Sequence, residues 1–170
     1  MAAAGGDGPG GGMTRALLVA AVLVVVALYA VLSGRWVSSD PGWYDALPKP
    51  SWQPPPWVFG VVWPLNFLAL TVSGVAIAWT RPTGEALGFL ALLVASVAAA
   101  LTWAHAFYVP HDLGRAALAL VVALLLTVAL VVVAAGSLPW AGWVLVPYAV
   151  WMAVATSLAL AYWRLVPEAA

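Results

Sequence analysis

The sequence predicts an all-α membrane protein, a five-transmembrane-helix bundle with a long Pro/Trp-rich loop between helices 1 and 2. Three observations predict it. The chain of 170 residues is 65% hydrophobic and 7% charged, whereas a soluble domain carries roughly 25% charged residues. Five apolar, nearly uncharged runs each reach the length of about 18 residues that a helix needs to cross a bilayer. Clusters of Pro, Gly, Ser and Asp separate the runs.

Residues 1–14, rich in Gly and Ala, have little to bury and are expected to be a disordered tail. The first span runs from Arg15 to Trp36, and it is too long for the apolar core of a secretory signal. The second runs from Trp57 to Trp79, in a stretch with no charge between Lys49 and Arg81. The third covers Ala86 to Phe107, the fourth Gly114 to Ala135 and the fifth Trp140 to Trp163. Residues 15–166 therefore form one membrane domain, and 167–170 a short C-terminal tail. Open strands are excluded, because lipid cannot satisfy a sheet edge, and the runs lack the alternation of barrel strands.

Short links after spans two, three and four make neighbouring helices antiparallel. The first link differs, with six prolines between Pro41 and Pro56. Proline fixes φ and has no N–H, and it pushes the preceding residue towards extended geometry. The loop is expected to be stiff, non-helical and packed over one mouth of the bundle. Arg35, Lys49, Arg115 and Arg164 fall at the end that carries this loop, and Arg15 and Arg81 at the other. That bias places the loop and the C-terminus in the cytoplasm, and all-helical spans suit a bacterial plasma membrane.

Net charge is zero and the six Lys/Arg are scattered, which argues against a nucleic-acid partner. There is no cysteine, which excludes disulfides and thiolate chemistry. No Ser/His/Asp set, carboxylate pair, metal-spaced His cluster or phosphate loop is present. His105 or His111 could ligate haem iron through a ring nitrogen. The alternative for each is an interfacial histidine bonded to a carbonyl. Small residues at four-residue spacing, Ala91, Ala95 and Ala99 or Ala16 and Ala20, read either as a homodimer seam or as packing within the bundle.

The 11 tryptophans carry more information. Trp57, Trp79, Trp140 and Trp163 sit where an interfacial belt would. Trp63, Trp103 and Trp151 lie deeper, on three different spans, and Trp103 and Phe107 are i,i+4 neighbours. Convergent rings beneath a stiff loop suggest a pocket for a flat guest such as a tetrapyrrole, with each aromatic pair worth about 0.5–1.5 kcal/mol beyond area burial. Lys49, near the mouth, could meet a propionate, or it could lie over a loop ring as a cation–π pair.

Trp43, Tyr44, Leu47, Lys49, Pro50, Trp52, Pro54, Pro55, Trp57, Val62 and Trp63 resemble, in spacing, the first-loop and second-helix signature of the TspO/MBR family. These are the tryptophan-rich sensory proteins, also called translocator protein or peripheral benzodiazepine receptor. Val146, Pro147, Tyr148, Trp151, Ala155, Thr156, Trp163 and Arg164 form a second match, and Trp103, Phe107, Tyr108 and His111 a weaker third. The resemblance implies a five-helix homodimer that binds porphyrins, haem, sterol-like molecules and synthetic isoquinolines or benzodiazepines under the first loop. It implies no required cofactor and no bound metal; porphyrin or haem would be a ligand.

By motif position, Trp43, Tyr44 and Trp52 fall on the lid, Trp103 and Phe107 on the pocket face of span three, and Ala155 on the small pocket residue of span five. Phe67 joins the pocket set. Trp63 and Trp151 fall on the tryptophans implicated in light-dependent porphyrin breakdown. Leu160, Tyr162 and Arg164 fit the sterol-contact pattern. The chain departs from the family at Ala100 and Ala159, where asparagine is usual, at Val61, where proline is usual, and at Asn66. Three functions follow: a receptor or carrier of tetrapyrroles, a light-dependent porphyrin-degrading activity, or a structural membrane protein with a degenerate pocket.

Overall fold

A computed structural model describes residues 9–166, with side chains from residue 11 onward. Among the described residues six helices follow one another: α1 (Pro9–Val37), α2 (Pro41–Ala46), α3 (Pro56–Thr80), α4 (Thr83–Tyr108), α5 (Leu113–Ser137) and α6 (Pro139–Leu165). All except α2 are long and apolar enough to cross a membrane. At about 1.5 Å per residue, their 25 to 29 residues exceed the roughly 30 Å hydrocarbon core.

Two boundaries differ from the sequence reading. Helix α1 begins at Pro9, inside the expected tail. Proline is tolerated at a first helical position, and a helix already nucleated by the apolar run extends backwards more easily than a new one starts. Residues 1–8 and 167–170 lie outside the described part. The first link is also not wholly irregular. Asp40 caps α2, its carboxylate accepting from the Trp43 backbone N–H at 3.0 Å, with Pro41 in the first turn. Pro41 therefore starts a helix here, and the chain leaves it at Leu47, just before Pro48.

The bundle core comes from stripes at helical spacing. On α5 the buried face reads Ala116, Leu120, Ala123, Thr127, Leu130 and Ala134. It packs extensively against α4 and α6, and its small side chains let backbones approach. Gly142 shows how closely: a Cβ added there would lie 2.6 Å from Ala135 Cα and 2.8 Å from Ala135 N. Several serine and threonine hydroxyls in the spans turn to nearby carbonyls, which satisfies them without water. Thr156 bonds Met152 O at 2.7 Å and Leu120 O at 3.3 Å, and Ser73 reaches across to Ala141 O at 3.2 Å. Pro64 and Pro147 lie within α3 and α6 without ending them. The belt tryptophans Trp57, Trp79, Trp140 and Trp163 are exposed near helix ends.

Replacing Gly142 by Ala pushes a methyl group into a neighbouring backbone that has no rotamer to yield. The expected cost is about 2–3 kcal/mol, or a fall of roughly 4–12 °C in Tm. Gly88→Ala, where a Cβ meets nothing within 4 Å, leaves Tm unchanged or slightly raised. Thermal denaturation in detergent, followed by circular dichroism, compares the two.

Candidate functional site: a capped aromatic cavity

Proline and ring packing place the first loop over one end of the bundle. Trp43 stacks on His111 (centroids 3.9 Å apart, planes 14° apart) and meets Phe107 edge-on at 5.3 Å. Tyr44 lies against Phe107, Tyr108 and Tyr162 at 5.9–6.3 Å. Ser39 Oγ donates to Tyr108 O at 3.1 Å. His111 is held at φ 58°, a left-handed conformation that lets the chain turn from α4 into α5. The next residue, Asp112, caps α5 through the Arg115 N–H at 2.8 Å. The same turn that reverses the chain thus presents the imidazole on which the loop rests.

Beneath this cap lies a cavity of about 310 Å³, at the lower end of the ~300–1,000 Å³ typical of small-molecule sites. Its walls come from the end of α1, the first half of α3, the last turns of α4 and one face of α6. Trp63 is nearly parallel to Trp103 (6.5 Å, 19°) and to Phe67 (5.8 Å, 28°). Tyr29 braces both Trp63 and Phe67 edge-on from behind, at 5.9 and 5.2 Å. Phe59, itself in the wall, meets Trp151 edge-on at 5.3 Å. The indole nitrogens of Trp103 and Trp151 are sealed in the wall without a hydrogen-bond partner. These two residues therefore offer the cavity their ring surfaces rather than their N–H groups.

The structure brings Tyr44, Trp63, Phe67, Trp103, Phe107, Trp151 and Ala155 together around this one cavity. It does not bring Trp43 or Trp52 there. Trp43 faces outward from α2 onto His111. Trp52 is half exposed in a shallow outer groove, which it shares with Leu160 and Arg164. Tyr162 points the other way and lines the cavity, so the three residues of the sterol pattern do not form one surface. Lys49 stays outside, 3.7 Å from the Asp45 carboxylate and 5.5 Å from the Tyr44 ring centre. Its cation–π reading fits this geometry. His105 lies outside beside Trp36 (5.2 Å) and His111 is held by Trp43. Neither imidazole is in the lining, so the cavity wall offers no histidine to a haem iron.

Sequence reasoning missed Gln53 and Phe59, both in the wall. Gln53 is the chain's only glutamine, an amide amid tryptophan and proline, and that oddity was a usable signal. Phe59 lies two residues after Trp57 in an apolar run whose sequence carries no signal of which side faces the cavity. Of the departures from the family pattern, Ala159 lines the cavity, Ala100 is fully buried in the core, and Asn66 is buried with its Nδ2 unpartnered.

Fold and site together define a multi-pass integral membrane protein built around a capped aromatic cavity. The chain belongs to the TspO/MBR family, whose model matches residues 19–164. It is 34% identical to protein CrtK of Rhodobacter capsulatus over 153 residues, covering 89% of this chain and 94% of that one. It is 36% identical to the tryptophan-rich sensory protein of Cereibacter sphaeroides (68% and 72% covered). It is 32% identical to the human translocator protein (72% and 73% covered).

Replacing Trp43 by Ala removes two ring contacts, worth roughly 1–3 kcal/mol together. The cap then opens more often while the bundle stays folded. Amide hydrogen exchange should accelerate about tenfold across residues 40–47 and remain unchanged in α5.

Proposed function

We propose that this protein is a membrane receptor or carrier that takes a porphyrin, or a similar flat hydrophobic molecule, into the cavity between its helices. One observation carries the reading. Indole and phenyl rings from α3, α4 and α6 line a single hollow, braced by further rings so that they keep their orientation. A flat aromatic guest gains ring stacking there as well as burial, and it meets walls that need little rearrangement. The names of the relatives, sensory protein and translocator protein, support sensing, buffering or transport as the use made of binding. A sterol-like guest would occupy the same hollow. The homodimer and the bacterial plasma membrane that the sequence suggests belong to this reading as well.

Titrating the purified protein with protoporphyrin should quench tryptophan fluorescence saturably. Ala155, a small wall residue on α6, is the place to block the site. Ala155→Trp fills it and should weaken binding about tenfold or more. Absence of saturable quenching in the parent protein would leave the structural reading. Because Trp63 and Trp151 line the same cavity, a light-dependent breakdown of the bound ring is the second reading. Loss of porphyrin in light but not in darkness, abolished in the Trp63→Phe, Trp151→Phe double variant that still binds, would support it.

A further inference from the structure

The cavity is mostly apolar away from the cap, and none of the described residues lining it is charged. Its polar end is built around Gln53. The Gln53 Nε2 group donates to Tyr44 Oη at 3.2 Å, and Gln53 Oε1 accepts from the Tyr162 hydroxyl. These bonds use one of two amide N–H groups and one of two carbonyl lone pairs. A second amide N–H and a second lone pair remain for a guest, while the Tyr44 hydroxyl is shared with that of Tyr162. Exchanging the amide oxygen and nitrogen leaves the same inventory, since both hydroxyls donate and accept. Lys49, the nearest basic residue in sequence, is engaged with Asp45 outside the cavity. A carboxylate drawn under the cap would lose its water without gaining a cation. A hydroxyl, ester or amide would find a matching donor and acceptor on Gln53.

Resting on the proposed ligand-binding role, we infer that the cavity selects a flat guest whose enclosed polar end is uncharged, and that Gln53, held between Tyr44 and Tyr162, is the residue that reads that end. The apolar body lies against Trp63, Trp103 and Trp151, and the neutral oxygen function lies under the loop. Guests with ionised carboxyl groups must leave them outside the cap.

Three porphyrins with one ring system separate the possibilities: octaethylporphyrin, protoporphyrin dimethyl ester and the protoporphyrin diacid. Each is titrated into protein in lipid nanodiscs, with empty nanodiscs correcting for partition into lipid. The expected order places the dimethyl ester about tenfold tighter than either of the others. In Gln53→Leu the ester falls to the level of octaethylporphyrin, while octaethylporphyrin keeps its affinity and so reports an intact pocket. A diacid that binds as tightly as the ester, especially if Lys49→Ala weakens it, would overturn the inference and leave the ligand-binding role standing. So would a Gln53→Leu variant that weakens all three guests alike. No saturable binding of any of the three would remove the ligand-binding role and this inference with it.

Discussion

Edge-to-face bracing of the wall rings is what keeps this bundle hollow. An apolar space between helices tends to close, because closure gains dispersion contacts that an unfilled wall lacks. Trp63 and Phe67 cannot swing inward to fill the space without abandoning Tyr29, which is fully buried and touches both. Phe59 meets Trp151 edge-on within the wall. Each contact is modest, about 0.5–1.5 kcal/mol, but they share partners, so moving one ring disturbs several. The cap depends on this frame too, since Tyr44 rests on Phe107, Tyr108 and Tyr162, residues at the ends of the same helices.

The bundle was legible in the sequence because a membrane span is a one-dimensional signal. Hydropathy and length set each helix, and Arg81-Pro82, Pro110 to Asp112 and Ser137 to Pro139 mark the turns without reference to any neighbour. The site was legible only in part, because facing is a three-dimensional property. Trp43 and Tyr44 are adjacent, yet on α2 they diverge by about 100°. One lies outside on His111 while the other lines the cavity. A loop read as irregular gave no basis for that distinction, and recognising Asp40 and Pro41 as a cap and first turn would have supplied it. Leu160, Tyr162 and Arg164 show the same effect on α6, where Tyr162 turns inward and the other two do not.

Histidine and lysine were harder to place, because their chemistry suggested ligands before their geometry was known. His111 looked available as a metal ligand beside Asp112. Its left-handed backbone and its stack with Trp43 give it a mechanical role instead, as the surface on which the loop rests. The carboxylate that reaches it is that of Asp40, at 3.8 Å, the same residue that caps α2. One acidic side chain thus caps the loop helix and lies beside the α4–α5 turn, an arrangement no local pattern would show.

Polar groups in this chain are sparse, and their positions argue for the character of the hollow. The resemblance leads one to expect asparagines where this protein has Ala100 and Ala159, and Ala159 lies in the wall. An asparagine there would carry an amide into the middle of the cavity; alanine leaves that stretch apolar. The chain's single asparagine, Asn66, is buried and does not line the space. Its single glutamine is at the cap. On the proposed role, a guest would meet ring surfaces and aliphatic carbon along most of its length, with hydrogen-bonding groups concentrated beneath the loop. Because burying an unpaired polar group is costly, this distribution would set which end of an amphipathic molecule lies under the cap, without any charged residue among those described in the lining.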